Sequence, residues 1–502
     1  AMTTSTPPKA PIVWTIAGSD SGGGAGIQAD LLTFKDFNVH GCSIITATTA
    51  QNSERVEKIE CASKEMIECC VDVLSDDLPA KSVKLGMLGS REAAEIISKF
   101  LLGFEGAAVC DPVMAATSGS SLSPAENYED LYFDKIIPFC SITTPNLIEA
   151  EKLAGMKITS HDDMVAAAKV LLKKGARCVL MKGGHFEEAG KFSSDFFCSE
   201  RENFWVISNR IASENTHGTG CTLSSAICSC LALGYDMKDS VMLAKAYTTQ
   251  GIERSKYLKL GSGPGPVSHM GFPNISKHFP KVAESLNFSE EGEFLFKLPL
   301  CHRNWGLYPI VEDSKWVQKM SELGVRDIQL RIKNKPFEHI EEEISKSKKI
   351  CEKSDARLWV NDHYGLAVKY GAYGVHMGQE DLQENGFEKV CEELARKSVR
   401  LGVSTHSYYE LAKAMMFHPS YIAIGPVFET ESKRVSHSPR GSSEVKKFRS
   451  FLPNEIPLIA IGGISLENGR SVLEAGAEGL AVISAVKKSD DVERTVSDWG
   501  KL

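Results

Sequence analysis

The sequence lacks the features that mark several classes of protein. Its 14 cysteines include no C-x-x-C pair, so neither a zinc cage nor a small disulfide framework is indicated. No uninterrupted apolar run approaches the ~18 residues that a membrane-spanning helix needs. We therefore expect a soluble protein from a reducing compartment, with no membrane partner.

Positive charge is not in excess either. Lys and Arg total 57 against 65 Asp and Glu, which gives a formal net charge of −8, and the isoelectric point is near 6.0. A broad nucleic-acid surface normally needs Lys and Arg clustered on one face. We expect no nucleic-acid partner, and any phosphate binding must be local.

Residues 1–8 contain neither the apolar core of a signal peptide nor an Arg-rich amphipathic helix. Ala1 before Met2 indicates an added residue. A transit peptide removed upstream of this point is compatible with the sequence.

At 502 residues the chain exceeds what one hydrophobic core usually supports, so we expect two or three domains. A Gly- and Pro-rich stretch, GSGPGP, begins at Gly261, and polar residues continue to about Phe294. Such a stretch predicts a domain junction. We predict a first domain over residues 1–275, a linker over 276–297 and a second domain over 298–502.

The first half alternates β-rich runs with helical stretches, which predicts a layered α/β domain. The predicted strands cover residues 12–16, 42–49, 82–88, 107–113 and 177–181. An edge hairpin over residues 192–198 and 203–207 should follow, before helices that begin near Thr219 and Asp239.

The second half contains eight short strand-like runs, most of them separated by segments of helical length. Eight strands in about 200 residues favour a (β/α)8 TIM barrel over the alternative, an open doubly wound sheet. The runs cover residues 306–311, 327–332, 358–361, 374–377, 400–404, 421–425, 457–461 and 479–483.

Two glycine-containing motifs of the first domain each lead directly into a predicted helix. GSDSGGGAG begins at Gly18, and NTHGTGCT begins at Asn215. Glycine lets backbone approach a ligand closely, and a helix N-terminus offers unpaired N–H groups and a positive dipole end. The second motif therefore predicts a site for a transferring phosphoryl group; a helix cap supplied by Thr219 is the alternative.

These motifs belong to an ordered set of strings. The set is A-G-S-D-x-x-G-G-A-G-I-Q-A-D, T-A-x-x-A-Q-N, D-P-V-M, T-P-N-L-x-E-A, L-M-K-G-G-H and N-T-H-G-T-G-C-T. Over residues 11–270 the chain thereby resembles the hydroxymethylpyrimidine and hydroxymethylpyrimidine-phosphate kinases of the ribokinase-like superfamily. The resemblance implies that Asp30 and Gln51 hydrogen-bond an aminopyrimidine and that Gly18 and Met87 line its pocket. An amide such as Gln51 presents both donor and acceptor, which suits an amidine-like edge.

The same resemblance implies a site for ATP and Mg²⁺, since magnesium prefers hard oxygen ligands. Asp111, Asn146 and Glu149 would lie near Mg-ATP, with Glu149 as a metal ligand. Lys182 would act catalytically by neutralising phosphate charge. The turn of Gly218, Thr219 and Gly220 would stabilise the transferred group electrostatically.

Cys221 stands where relatives in this superfamily usually carry an aspartate base. A thiol at a helix N-terminus has its thiolate favoured, so Cys221 is a candidate catalytic base. The alternative is that it only contributes to the anion hole, because phosphoryl transfer can depend on positioning more than on deprotonation. Two residues depart from the family pattern: Ser21 replaces a frequent proline, and Thr117 replaces a frequent lysine, which leaves the contacts to the ATP phosphates open.

In the second domain, polar residues fall at predicted strand ends. Gln329, Arg331 and Lys333 alternate, so a period of two directs all three toward the barrel axis; an edge strand facing water is the alternative. Asp362 and Asp381 end adjacent strands and could share a magnesium ion, or each could cap the following helix. Glycines and small residues after the seventh and eighth strands suit a phosphate.

A second ordered set of strings supports this interpretation. It comprises L-Y-P-I, I-Q-L-R-x-K, V-N-D, G-V-H-M-G-Q-E-D, G-V-S-T-H, G-P-V-F-x-T-x-S-K, I-A-I-G-G-I and A-V-I-S-A. Over residues 305–487 the chain thereby resembles thiamin-phosphate synthases. The resemblance implies contacts to a pyrimidine diphosphate from Gln329, Arg331, Lys333, Asn361 and Lys433, of which Arg331 and Lys433 would be catalytic. It further implies Mg²⁺ ligands at Asp362 and Asp381, a pyrophosphate donor at Ser404, thiazole contacts at Thr430 and Ser432, and a phosphate cradle of Gly463, Ile483 and Ser484.

The order of the two domains matches plant bifunctional fusions. It implies that the first product, a pyrimidine diphosphate, is the electrophile for condensation with hydroxyethylthiazole phosphate to thiamin phosphate. The small-molecule partners would be hydroxymethylpyrimidine, ATP and the thiazole phosphate; we expect a homo-oligomer, and by resemblance the chloroplast stroma, otherwise the cytoplasm. The alternative is a pyridoxal-like kinase fused to a non-catalytic barrel that senses phosphorylated ligands.

Overall fold

The computed structural model describes residues 10–115, 122, 128–184, 190–286, 297–429 and 441–502. Contacts between Cα atoms divide the chain into two units, Ala1–Pro273 with His278–Asn287 and Asn274–Lys277 with Phe288–Leu502. No helix within those described stretches is long and apolar enough to cross a membrane.

The first unit is built on a ten-stranded sheet in the order β10-β9-β8-β7-β6-β5-β4-β1-β2-β3. Strands β1, β2, β4, β5, β6 and β7 pair in parallel, whereas β3 and β8–β10 pair antiparallel at the two sides. The strands are β1 Ile12–Asp20, β2 His40–Gln51, β3 Val56–Cys61, β4 Ser82–Leu85, β5 Ala107–Cys110, β6 Ile142–Thr143, β7 Cys178–Met181, β8 Phe192–Ser199, β9 Asn203–Asn209 and β10 Lys281–Ala283.

Eight α-helices of the described residues belong to this unit. They are α1 Gly26–Asp36, α2 Lys64–Asp77, α3 Arg91–Leu102, α4 Tyr128–Leu131, α5 Leu147–Ala154, α6 His161–Lys173, α7 Thr219–Ala232 and α8 Met237–Ser255. Helix α7 consists largely of small residues and packs against β1, β4 and β5. Because parallel strands end at one edge of the sheet, the loops that follow β1, β5 and β7 share that edge.

The second unit is a closed barrel of eight parallel strands, which confirms the predicted TIM barrel. Its strands are β11 Gly306–Val311, β12 Asp327–Leu330, β13 Arg357–Asn361, β14 Gly374–Met377, β15 Arg400–Thr405, β16 Tyr421–Ile424, β17 Leu458–Ile461 and β18 Gly479–Val482. Its helices are α9 Ser314–Glu322, α10 Phe337–Glu352, α11 Tyr364–Tyr370, α12 Gln379–Asn385, α13 Phe387–Arg396, α14 Tyr408–Met415, α15 Gly441–Phe451, α16 Leu466–Glu474, α17 Ser484–Lys487 and α18 Val492–Trp499.

Aromatic side chains fill the barrel interior. Trp359 and Tyr421 are fully buried, and two glycines on neighbouring strands make room for them. A methyl group at Gly374 would lie 2.2 Å from the ring of Trp359, and one at Gly402 would lie 2.0 Å from the ring of Tyr421. The small residues on β14 and β15 therefore complement large ones on β13 and β16.

The structure differs from the sequence-based boundaries in several places. Strand β10 lies inside the predicted linker 276–297 and pairs with β9, so this part of the segment belongs to the first sheet. The predicted strand over residues 82–88 ends at Leu85, and strands β3 and β6 were not predicted. Both are short or exposed, and neither shows a clear period-two pattern of apolar residues.

Candidate active sites

The first glycine motif is an ordered turn that forms around Asp20. The Asp20 carboxylate accepts hydrogen bonds from the backbone N–H groups of Gly22, Gly24 and Ala25 at 2.7–3.1 Å. Its Oδ2 also lies 2.9 Å from Nε2 of His217 in the second motif. Burial would raise the pKa of Asp20, but the bonds from His217 and the backbone amides outweigh it and lower the pKa.

The two glycine motifs are in direct contact. Gly218 has a φ of +80°, and a methyl group there would lie 1.9 Å from the carbonyl oxygen of Gly24. Gly218, not Thr219, is the N-cap of α7, and no side chain caps the helix from that position. The Thr219 hydroxyl instead donates to the Thr216 carbonyl at 2.6 Å. The start of α7 therefore presents backbone amides, as expected of an anion site.

Lys182 and Asp111 meet this helix start. Lys182 Nζ lies 3.2 Å from Asp111 Oδ1. A methyl group on Gly220 would lie 2.9 Å from Lys182 Nζ and 3.2 Å from Asp111 Oδ2. Burial alone would lower the pKa of Lys182, but the charges of Asp111 and Glu149 raise it, so the ammonium is retained. The structure thus brings together the residues expected around the phosphates.

Asn146 and Glu149 form a reciprocal cap on α5. Glu149 N–H donates to Asn146 Oδ1 at 2.9 Å, and Asn146 N–H donates to Glu149 Oε2 at 2.8 Å. Burial raises the pKa of Glu149 to about 7, because the charge of Lys182 offsets burial and the charge of Asp111 only in part. Both side chains therefore already cap α5, and burial disfavours the charged form of Glu149.

The interpretation of Cys221 as a thiolate base disagrees with its surroundings. Cys221 is 9% exposed, and burial raises the pKa of its thiol to about 11, against the lowering influence of Lys84. Asp30 and Asp111 add negative charge nearby and raise it further. The effect of the helix N-terminus is therefore outweighed, and the thiol is neutral at physiological pH in this structure.

Asp30 lies in a buried ion pair. It is fully buried, and its carboxylate accepts hydrogen bonds from Thr15 at 2.6 Å and from Ser225 at 2.6 Å. Lys84 Nζ lies 2.9 Å from it, and neither side chain is exposed. A ligand could reach Asp30 only after this group had rearranged, and the contact to the pyrimidine stays a prediction.

The other expected pyrimidine contacts lie at the same sheet edge. Gly18 and Met87 are buried neighbours, because a methyl group on Gly18 would lie 3.0 Å from Met87 Sδ. Gln51 ends β2 and is partly exposed. The Ser21 hydroxyl donates to the Gln51 carbonyl at 2.7 Å and accepts from its N–H at 2.9 Å. A proline at this position could form neither bond. Thr117 lies outside the described residues.

In the barrel, the predicted polar residues gather at the carboxyl ends of the strands. Gln329 lies inside the barrel and is 2% exposed, and Arg331 and Lys333 follow it beyond the end of β12. Asn361 ends β13 and is buried, and Ser404 lies near the end of β15. Parallel strands in a closed barrel direct all of these toward one mouth.

Asp362 and Asp381 lie side by side at this mouth. Burial and the charge of Asp362 raise the pKa of Asp381, while the Gly378 amide lowers it. Lys333 Nζ lies 3.0 Å from Asp362 Oδ2. Asp362 does not cap α11, whose N-cap is His363 with no side-chain bond. Two carboxylates in contact favour a cation between them. Groups of three or more metal-ligating side chains are absent from the described ranges.

The predicted phosphate cradle follows β17 and β18, which are neighbours. Gly463 has a φ of +61°, and a methyl group there would lie 2.3 Å from the Glu429 carbonyl oxygen. Ile483 and Ser484 follow β18 and are partly exposed. Thr430, Ser432 and Lys433, which were predicted to bind the thiazole and the diphosphate, lie outside the described residues.

Several supporting residues were missed at the level of sequence. Asp195 on β8 accepts the N–H of Gly183 at 3.0 Å and pairs with Lys245, which fixes the turn after Lys182. Asn215 is buried and bonds to Ser255, Leu258 and Gly265, which anchors the second glycine motif. Asn215 does lie inside a recognised string, but its structural partners lie 40 to 50 positions away.

These features define two classes of protein in one chain. The mixed sheet with a glycine-lined helix start facing Lys182 is that of a ribokinase-like small-molecule kinase, and the closed barrel with paired aspartates at its carboxyl mouth is that of a phosphate-handling TIM-barrel enzyme. The family model described as phosphomethylpyrimidine kinase matches residues 20–268, and the one described as thiamine monophosphate synthase matches residues 307–486. The chain belongs to the family of bifunctional thiamine biosynthetic enzymes, and it combines a hydroxymethylpyrimidine kinase with a thiamine-phosphate synthase.

Individual relatives agree with this assignment. A probable thiamine biosynthetic bifunctional enzyme, chloroplastic, of Oryza sativa is 34% identical over 95% of this chain and 86% of its own length. A hydroxymethylpyrimidine/phosphomethylpyrimidine kinase of Rhizobium meliloti is 42% identical over 51% of this chain and 96% of its own length. The pyridoxal kinase of Staphylococcus aureus, solved with AMP-PCP, is 28% identical with a TM-score of 0.50, over 55% of this chain and 99% of that one.

Proposed function

We propose that the first unit phosphorylates hydroxymethylpyrimidine and then its monophosphate with ATP. The second unit would condense the resulting diphosphate with hydroxyethylthiazole phosphate to give thiamin phosphate and pyrophosphate. The convergence of Lys182, Asp111 and Gly220 at the start of α7 supports the first step. The Asp362 and Asp381 pair at the barrel mouth supports the second.

Phosphoryl transfer would depend on charge placement. The backbone amides of Gly220 and Cys221 at the start of α7 would receive the oxygens of the transferred group, and Lys182 would compensate its charge. Cys221, as a neutral thiol, would contribute through its position in this turn. A positioned substrate hydroxyl would then need no thiolate base, because a loose transition state places little demand on the nucleophile.

The candidate Mg²⁺ ligands of the two units differ in how well they suit the ion. Asp362 and Asp381 fit well, since burial and the neighbouring Asp362 carboxylate raise the pKa of Asp381 and a cation between the two would relieve their repulsion. Glu149 fits less well, because its Oε2 already accepts the Asn146 amide; Asp111 lies beside it and is bonded to Lys182. Compensation of diphosphate and triphosphate charge is the chemistry that Mg²⁺ would supply there when bound.

Condensation would follow departure of diphosphate from the pyrimidine methylene. Lys333 and Arg331, with Lys433, would stabilise the leaving group, while Gln329 and Asn361 would orient the pyrimidine. Ser404 would donate to pyrophosphate. The thiazole nitrogen would then attack the resulting carbocation. Contacts from Thr430 and Ser432 would hold the thiazole, and the phosphate cradle of Gly463, Ile483 and Ser484 would hold its phosphate. No general base is needed.

The coupled reaction tests this proposal directly. Hydroxymethylpyrimidine, ATP, Mg²⁺ and hydroxyethylthiazole phosphate are supplied, and thiamin phosphate is measured. We expect product only when all four are present. Absence of product with all four, while pyridoxal is phosphorylated readily, would favour the pyridoxal-like alternative, for which the fold of the S. aureus enzyme is the relevant observation. Direct competition of the two alcohols gives their relative kcat/KM.

The plant relatives are named chloroplastic, and we propose the plastid stroma for this chain on that likeness. We also propose a homo-oligomer. Import of the full-length precursor into isolated plastids and light scattering of the purified chain test the two statements.

A further inference from the structure

A continuous line of hydrogen bonds crosses the interior of the barrel. Gln329 Nε2 donates to Tyr308 Oη at 3.1 Å, and Tyr308 Oη lies 3.0 Å from Tyr421 Oη. Tyr421 Oη lies 2.7 Å from Nδ1 of His376, and Nε2 of His376 lies 3.1 Å from Ser404 Oγ. The line thus joins two residues of the proposed substrate site through three residues to which the sequence analysis gave no role.

The chemistry of the groups gives this line a direction. The Gln329 amide nitrogen is only a donor, so the Tyr308 oxygen accepts from it. Tyr308 is 1% exposed, and Tyr421 is its other partner within the described part of the chain. Its single hydrogen therefore goes to Tyr421, which in turn donates its own hydrogen to Nδ1 of His376.

The direction continues through the imidazole. A neutral imidazole that accepts at Nδ1 carries its hydrogen on Nε2. His376 Nε2 therefore donates to Ser404 Oγ, which leaves the hydrogen of the serine hydroxyl for another acceptor. The reverse direction would turn that hydrogen inward, toward His376, and present only lone pairs to the barrel mouth. Only the first arrangement suits an anionic ligand.

The surroundings hold the line in place. Tyr421 is fully buried, with the rings of Trp305 and Trp359 edge-on to it at centroid distances of 5.1 and 4.9 Å. The His376 ring stacks on Tyr421 at 5.8 Å with an interplanar angle of 19°. Gln379 Nε2 donates to the Ser404 carbonyl at 3.0 Å, which fixes the serine backbone. The rotamers are therefore locked by packing.

We propose that Tyr308, Tyr421 and His376 are positioning residues of the synthase site, which hold the Ser404 hydroxyl as a donor toward the diphosphate of the substrate. The proposal rests on the proposed function of the barrel. The tyrosines act through His376: they select the tautomer with hydrogen on Nε2, and the tautomer sets the direction of the serine hydrogen.

A double-mutant cycle on the full chain tests the proposal. The synthase step is measured alone, with pyrimidine diphosphate, thiazole phosphate and Mg²⁺ supplied. Tyr421→Phe should lower kcat/KM on the order of tenfold, as the loss of one hydrogen bond would. In a Ser404→Ala background the same change should have almost no further effect. Tyr421→Phe lowering the rate by the same factor with or without Ser404 would overturn the proposal.

Controls separate positioning from damage to the fold. The near-ultraviolet circular dichroism of each variant reports that the aromatic core of the barrel is folded and should match that of the unaltered chain, and the kinase rate should stay unchanged. Tyr373→Phe removes a hydroxyl from the same aromatic cluster, one that bonds to Cys301 instead of the line, and should leave the synthase rate within about twofold. A loss in Tyr373→Phe equal to that in Tyr421→Phe would also count against the proposal.

The tautomer itself can be observed. Nitrogen-15 NMR of histidine-labelled full chain, with His376→Asn to identify the signal, should show hydrogen on Nε2 in the unaltered chain and a loss of that preference in Tyr421→Phe. Hydrogen on Nδ1 in the unaltered chain would refute the direction. If the unaltered chain makes no thiamin phosphate from the supplied diphosphate, the proposed function fails, and the spectrum still decides the tautomer.

Discussion

Gly218 is the position where one methyl group should separate the two activities most cleanly. Its φ of +80° costs alanine about 1–2 kcal/mol. The added carbon would also overlap the Gly24 carbonyl oxygen at 1.9 Å, and relief needs a shift of roughly 1 Å in a turn pinned by Asp20, at a further ~1–3 kcal/mol. Misplacement of catalytic groups by ~1 Å costs about 10²-fold in rate. We therefore expect Gly218→Ala to lower the kinase kcat about 10²-fold.

The matched control lies at the other end of the same helix. Gly234 has a φ of +93°, and a methyl group there would meet nothing within 4 Å. Gly234→Ala should lower stability by about 1–2 kcal/mol and keep the kinase kcat within about threefold. ADP release with hydroxymethylpyrimidine measures the kinase, and condensation of supplied diphosphate measures the synthase, which both variants should retain. Equal losses of kinase activity in the two variants would refute the reasoning.

Three further predictions concern the first unit. Burial raises the pKa of the Cys221 thiol to about 11, so the uncharged thiol predominates at lower pH. The rate of its alkylation, measured by peptide mass spectrometry, should therefore rise about tenfold per pH unit toward pH 11. A rate that levels off near pH 8 would contradict this. Lys84→Met should lower the free energy of unfolding by about 3–5 kcal/mol, because it leaves the buried Asp30 charge unpaired. The double variant Lys84→Met with Asp30→Leu should be more stable in thermal denaturation than Lys84→Met alone. Equal stability of the two variants would count against the ion pair. Ser21→Ala removes two bonds to the Gln51 backbone and should raise KM for the pyrimidine up to about tenfold with little change in KM for ATP, whereas equal changes in both would contradict a local role.

The sequence predicted the parts of the site that depend on chain order. Loops that follow parallel strands meet at one edge, so the strings around Asp111, Lys182 and Gly218 could be expected to converge, and they do. The eight-strand barrel was predictable for the same reason, since its strands and helices alternate regularly along the chain.

The features that the sequence did not indicate depend on contacts between distant positions. The motif around Asp30 predicts a ligand contact, but in the structure Asp30 forms a buried ion pair with Lys84, which stands 54 positions away. Cys221 reads as an activated thiol at a helix start, but burial against Asp30 and Asp111 raises its pKa. Sequence patterns indicate which residues lie near a helix end; the depth of burial that sets their charge requires the packed structure.

The hydrogen-bonded line in the barrel was invisible for a related reason. Tyr308, Tyr421 and His376 lie on three different strands, and apolar or aromatic residues at inward positions are ordinary core residues. Their partnership follows from the register of a closed barrel, together with Gly402, which makes room for the Tyr421 ring. The sequence alone does not show that Gly402 faces Tyr421, and that pairing explains why a glycine stands there.

The central claim is that each unit builds a separate site that compensates phosphate charge for its own reaction. It is tested most directly by mixing two full-length variants, Lys182→Met and Asp362→Asn, with hydroxymethylpyrimidine, ATP, Mg²⁺ and thiazole phosphate. Each variant alone should make thiamin phosphate at a rate at least about 10²-fold below that of the unaltered chain, and the mixture should restore the product because the free diphosphate passes from one chain to the other. A mixture as inactive as its components, or full activity in Asp362→Asn alone, would contradict the account.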